Sequence, residues 1–191
     1  MTLVASALLV AGCGHEPSAP EAPAGPATHA TVVPPTSPSP TSTPAHRDLG
    51  PPTRLSIPRI DVDTTVEHLG LAEDGSQEVP HSLATVGWWR EGATPGGEGN
   101  VVLVGHTASS ADGVFDDLGR LRPGDRFTVT ATDGSATYVV TESYEIRNEE
   151  FADHASEIYR ITGAPGAVLM TCSTWNGHTY ETTTVVHARR T

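Results

Sequence analysis

Two short runs constrain this chain more than any other feature. Val101-Val102-Leu103-Val104 and Val168-Leu169-Met170 are apolar at every position, and the first is β-branched at three of its four residues. Runs of this length and composition read as buried strands. Each run then changes character abruptly. The first passes into Gly105-His106-Thr107 and the second into Thr171-Cys172, with polar and turn-forming residues beyond. An imidazole and a thiol therefore each stand at the end of a rigid strand, 66 positions apart along the chain. The rest of the sequence reads as a scaffold that brings these two strand ends together.

The surrounding sequence falls into three parts. Residues 1–13 contain the apolar run Thr2–Ala11, too short for a membrane-spanning helix of about 20 residues. The run fits the apolar region of a secretory signal. Leu9-Val10-Ala11-Gly12-Cys13 resembles a bacterial lipoprotein signal, in which Cys13 becomes the lipidated residue, although no Lys or Arg precedes the run. Residues 14–52 are dominated by Pro, Ala, Ser and Thr. Such a segment buries too little apolar surface to fold and stays extended, with a reach of roughly 100 Å. Its histidines, His15, His29 and His46, lack metal-ligand spacing. Residues 53–191 hold the folded domain.

Within that domain, Arg54–Pro58 and Ile60–Val66 alternate polar and apolar residues as strands do. Ala84–Trp89 forms another short apolar segment, and Thr94–Asn100 a tight loop. Gly113–Leu118 reads as one helical turn and Leu121–Asp125 as a turn. Thr132-Asp133-Gly134-Ser135 and Asn176-Gly177 are hairpin signals between strand-like runs. Glu149–Arg160 is the one helical stretch, and Thr182–Ala188 a last strand. Many short strands with little helix point to a small, mainly β barrel.

A formal charge of −12 excludes nucleic acid as a partner, because phosphate binding needs a basic face. The two cysteines, Cys13 and Cys172, lie in different parts of the chain, so a disulfide would have to fold the leader onto the domain. In an exported protein Cys172 is then a lone thiol in an oxidising compartment. Such a residue is either a nucleophile or a small core hydrophobe. A lone strand-end histidine such as His106 is in turn more often structural than catalytic. Asp61, Asp63, Asp116 and Asp117 read as solvated strand and turn carboxylates rather than a metal site, and Trp88-Trp89 as core. No cofactor is expected.

Taken together, Val86-Gly87-Trp88-Trp89, Val104-Gly105-His106-Thr107, Val114–Leu118, Leu121–Asp125 and Leu169-Met170-Thr171-Cys172 resemble a sortase, most of all the actinobacterial class F or a class E relative. The ordered match spans about Thr53 to Ala188. The resemblance implies a closed eight-stranded β-barrel with one or two short helices. It implies a cysteine transpeptidase that attacks the Thr-Gly bond of an LPXTG-like sorting signal on surface proteins. A cell-wall precursor amine, or water, resolves the thioester, and the domain works outside the cell on a membrane anchor. Carried over, Cys172 is the nucleophile, His106 the proton donor and acceptor, and Thr171 a positioning residue beside the thiol. The family's third residue, an arginine early in the following strand, is missing: Tyr180 is followed by Glu181. Arg189 and Arg190 lie too far along that strand, which leaves Arg160, or Arg90, as the residue expected to reach the cleft. L,D-transpeptidases also pair Cys with His, but their nucleophile follows Ser-His-Gly, unlike Met170-Thr171-Cys172-Ser173.

Overall fold

The computed structural model describes residues 46–73 and 75–191. Expectations for Cys13 and for most of the linker therefore lie outside the described residues. Eight strands close into one barrel in the order β1-β2-β3-β4-β7-β8-β6-β5. The strands are β1 Pro52–Ile57, β2 Val62–Leu69, β3 Val86–Trp89, β4 Asn100–Gly105, β5 Arg126–Ala131, β6 Gly134–Arg147, β7 Gly166–Trp175 and β8 Tyr180–Arg190. Neighbours are antiparallel except for two parallel pairs, β2 with β3 and β4 with β7. The mainly β, eight-stranded barrel expected from the resemblance is the observed fold, with one short helix, α1 (Phe151–Ile158), and three 3₁₀ turns among the described residues.

The all-apolar composition of β4 and β7 now has a physical cause. Both strands are buried on two sides. Val101, Leu103, Ala167 and Leu169 face the barrel interior with Leu55, Phe127 and Tyr138. Val102, Val168 and Met170 face outward, into a second cluster with Ile146, Ile158 and Val185. Phe151 and Tyr159, at the two ends of α1, pack against that outer cluster. A strand covered on both faces favours apolar side chains along its middle, and the buried polar residues that flank these runs, Asn100 and Thr171, are hydrogen-bonded. Burial ends where the apolar run ends: β7 is buried from Gly166 through Thr171, and Cys172 is exposed.

Both hairpins form where the turn residues predict. Ala131 pairs with Gly134 across Thr132-Asp133, and Trp175 pairs with Tyr180 across a loop in which the Asn176 side-chain oxygen accepts from the His178 and Thr179 amides. Two boundaries differ from expectation. Strand β7 continues past Cys172 to Trp175, with Thr174 in the left-handed region at φ 56°. The folded domain also starts before Thr53. Leu49 is buried in the barrel core, and its carbonyl accepts from the Asp133 amide. One leucine in a proline-rich stretch has no periodicity to betray it.

Candidate active site

The parallel β4/β7 pair positions the two residues that matter most. Its register runs from Asn100 opposite Gly166 to Val104 opposite Met170. The Thr171 hydroxyl then donates to the Gly105 carbonyl at 2.9 Å in a buried bond, holding the strand ends together one step further. Continued by one more residue, the register brings His106 beside Cys172. Side chains alternate along a strand, so Cys172 shares the outer face of Val168 and Met170, as His106 shares that of Val102 and Val104. Both open into one groove of about 420 Å³. Thr171 lines the same groove, with its hydroxyl committed to β4.

Gly105 is glycine because of what lies against it. A Cβ there would stand 2.5 Å from the Phe115 ring. Phe115 is fully buried, and its amide donates to the His106 carbonyl at 2.9 Å. Asp116, expected to be a solvated turn carboxylate, is exposed in a turn, and it also ties together the loop after His106. It accepts from the Ala108 and Gly113 amides, each at 2.8 Å, and from the Thr107 hydroxyl at 2.9 Å. Partial burial works against its charge, but these donors outweigh it and hold the carboxyl below the usual range.

The groove's other wall is the β2–β3 connection, residues Gln77 to Pro80. Its strongest contact to the site is a 2.7 Å hydrogen bond between His106 Nε2 and the Pro80 carbonyl. A carbonyl only accepts, so Nε2 carries the proton. Tyr180 closes one side, its hydroxyl donating to the Thr107 carbonyl at 3.3 Å. Tyr159 closes another, its hydroxyl bonded to Gln77 Oε1. Burial pushes the Tyr159 phenol up to about 12, so it stays protonated. Cys172 is exposed as a residue, but the groove walls around it partly desolvate its sulfur and push the thiol up. No cation offsets it, because no arginine lines the groove.

Arg160 stands elsewhere. Its guanidinium bonds Asn100 Oδ1 at 2.8 Å and the carbonyls of Thr162 and Ala164. It sits at the start of β4 and β7, in a separate depression with Arg189 and His187. Gly166 to Cys172 is six residues of strand, or about 20 Å. Arg190 is at that end too, bonded to the Gly96 carbonyl, and Arg90 bonds Glu91 on the surface. Thr183 occupies the β8 position opposite Cys172, lines the groove, and donates to Asn148 Oδ1. Glu181 borders a neighbouring cleft with Arg147 and accepts from the Asn176 side-chain amide. Trp88 is core and Trp89 packs against the outer cluster. Among the described residues, no group of three or more His, Cys, Asp or Glu is placed to hold a metal ion.

The sequence profile of the sortase domain matches residues 55–191, most of the chain and all eight barrel strands except the first residues of β1. The chain belongs to the sortase family. Solved sortases agree with that assignment. Sortase C-1 from Actinomyces oris is 26% identical, with 73% of this chain and 74% of that chain covered and a TM-score of 0.54. Streptococcus agalactiae sortase C1, solved in complex with MTSET, is 26% identical over 73% of this chain and 66% of that chain, with a TM-score of 0.57. Sortase A from Corynebacterium diphtheriae, 21% identical over 74% of this chain and 61% of that one, has a TM-score of 0.58 and shares the fold. No curated protein sequence matches. The family is one of cysteine transpeptidases. In this sortase domain, no helix among the described residues is long and apolar enough to cross a membrane.

Proposed function

We propose that this sortase cleaves the Thr-Gly bond of an LPXTG-like sorting signal and transfers the new acyl end to a cell-wall amine, working outside the cell. The observation that carries the reading is that Cys172 and His106 line one groove at the end of the parallel β4/β7 pair. In the first step the Cys172 sulfur bonds to the threonine carbonyl carbon, and the C–N bond to glycine breaks. His106 delivers its Nε2 proton to the departing amine. To do so the ring exchanges the Pro80 carbonyl for the substrate nitrogen. The thiol's own proton passes to Nδ1 of His106, so the ring donates from Nε2 as an imidazolium and returns to its neutral form. In the second step an incoming amine attacks the thioester, His106 takes its proton, and the Cys172 sulfur leaves. Thr171 supports the geometry by fixing the strand ends. Lipidation of Cys13 and the proline-rich linker would hold the domain at the outer membrane face, within reach of the wall. The class F and E sortases are its proposed relatives within the family.

The test is to incubate the chain with LPXTG-like peptides and an amine acceptor, and to look for the ligated product. Cleavage at Thr-Gly that is lost in Cys172→Ala supports the reading. Intact peptide across a broad signal library overturns it.

A second reading has its own observations. The groove holds no arginine, and the Cys172 thiol is pushed up rather than down. A sortase-fold domain with these features would bind a sorting peptide or wall component without efficient turnover. Stoichiometric peptide binding that survives Cys172→Ala, with no cleaved product from the intact chain, selects it.

A further inference from the structure

Among the described residues only one buried side-chain nitrogen or oxygen lacks a hydrogen-bond partner, and it is Gln77 Nε2. Gln77 lines the same groove as Cys172 and His106. It comes from the β2–β3 connection, which lacks the strand periodicity that flags functional ends. Two contacts fix its place. Gln77 bridges Leu71 in antiparallel fashion, and Tyr159 bonds its side-chain carbonyl from the far end of α1. The Tyr159 hydroxyl keeps its proton, so it is available as the donor in that bond.

The hydrogen count leaves a surplus. A carboxamide brings two N–H donors and a phenol one O–H. One bond joins the two groups, so donor hydrogens remain unspent whichever way the carboxamide is turned. Nε2 itself is buried in the wall of the groove that Gln77 lines, which among the described residues holds no arginine and whose Thr171, Tyr180 and Thr183 hydroxyls are committed to other acceptors. An extended peptide presents backbone carbonyls, the acceptors such a donor lacks. We infer that Gln77 is a substrate-binding residue of this groove, its carboxamide nitrogen donating to a backbone carbonyl of the bound sorting peptide while Tyr159 holds the carboxamide in place. This assignment rests on the peptide-transferring reading of the groove. It adds a donor contributed by the connection opposite the Cys172 strand.

The test compares peptide affinity in a Cys172→Ala background, where no chemistry intervenes, with and without Gln77→Met, which keeps length and removes both donors and the acceptor. Loss of one such bond is expected to weaken an LPXTG-like peptide about fivefold. In the chain with Cys172 intact, the same substitution is expected to raise KM more than it lowers kcat. Tyr159→Phe, which frees the carboxamide without touching it, is expected to weaken binding by a smaller factor, and it serves if Gln77→Met lowers the melting temperature. Unchanged peptide affinity in Gln77→Met removes the assignment and leaves the function standing. Absence of any peptide binding or acylation in the parent chain removes both.

Discussion

The two ends of the β4/β7/β8 sheet carry opposite chemistry. At one end, Arg160, Arg189 and Arg190 gather around the starts of β4 and β7 and the close of β8, and Arg160 and Arg190 are bonded to backbone carbonyls. At the other end, Cys172 and His106 open into a groove walled by apolar side chains and hydroxyls, with no guanidinium. The family's resemblance calls for a cation beside the thiol; Arg160 and Arg189 stand about 20 Å away at the other end of the strands, and Arg147, two strands over at the groove end, faces a neighbouring cleft and pairs with Glu149. An arginine bonded to neutral carbonyls braces loops. An arginine beside a thiol would instead lower its pKa. The difference separates the end that braces this barrel from the end where the proposed chemistry would take place.

Substitutions at the groove end should have the largest effects. Cys172→Ala removes the only described cysteine and is expected to abolish acylation by peptide and labelling by thiol reagents, read by intact mass. His106→Ala is expected to lower peptide cleavage about 10²–10⁴-fold while leaving the barrel folded, as checked by its melting curve. Next in size is an attempt to erase the contrast. Thr183→Arg places a cation opposite Cys172, and an opposite charge at that range lowers a pKa by about 1–3 units. The pH profile of Cys172 alkylation should move down by that amount. In the parent chain, where burial raises the thiol, alkylation should climb only as pH passes above the ordinary thiol range.

The far end should respond in stability rather than activity. Arg160→Ala removes bonds from a half-buried cation and is expected to cost about 1–2 kcal/mol in denaturant melts, with Cys172 labelling unchanged. A loss of labelling there would break the comparison. The smallest expected effect is a pH dependence at His187, which stacks on Tyr144 at 5.7 Å and bonds its hydroxyl. Burial lowers this imidazole's pKa below 6.5, although the nearby Glu157 and Glu142 charges oppose that shift. The neutral ring is then favoured in the folded state. Its contribution is complete above pH 6.5 and is lost as pH falls through the lowered value. Melts of His187→Gln should lack that component.

Strands β4 and β7 were legible in the sequence because the middle of each is buried on two faces, which favours an unbroken apolar run until burial ends. That is why Val101–Val104 and Val168–Met170 stood out and why His106 and Cys172 stood out beside them. The hairpins were legible from Thr132–Ser135 and Asn176-Gly177, whose residues suit tight turns. Arg160 was misplaced for a reason visible in hindsight. It precedes the start of β7 by six residues and Cys172 follows that start by six, so strand direction carries them apart. Gln77, Tyr159 and Tyr180 were not legible as groove residues. They lie on a connection, after a helix and at the start of a strand, and only barrel closure brings these together. Asp116 was legible as a solvated turn carboxylate but not as the tie of the His106 loop, because one carboxylate in a turn gives no sign of how many amides it will accept.

The most direct test is mass spectrometry of the chain after brief exposure to an LPXTG-like peptide without an acceptor amine. The account predicts a mass increase equal to the peptide acid ending in its threonine less one water, mapped to Cys172, sensitive to hydroxylamine and much reduced in His106→Ala. An unmodified Cys172 under conditions where a small thiol reagent labels it fully would contradict it.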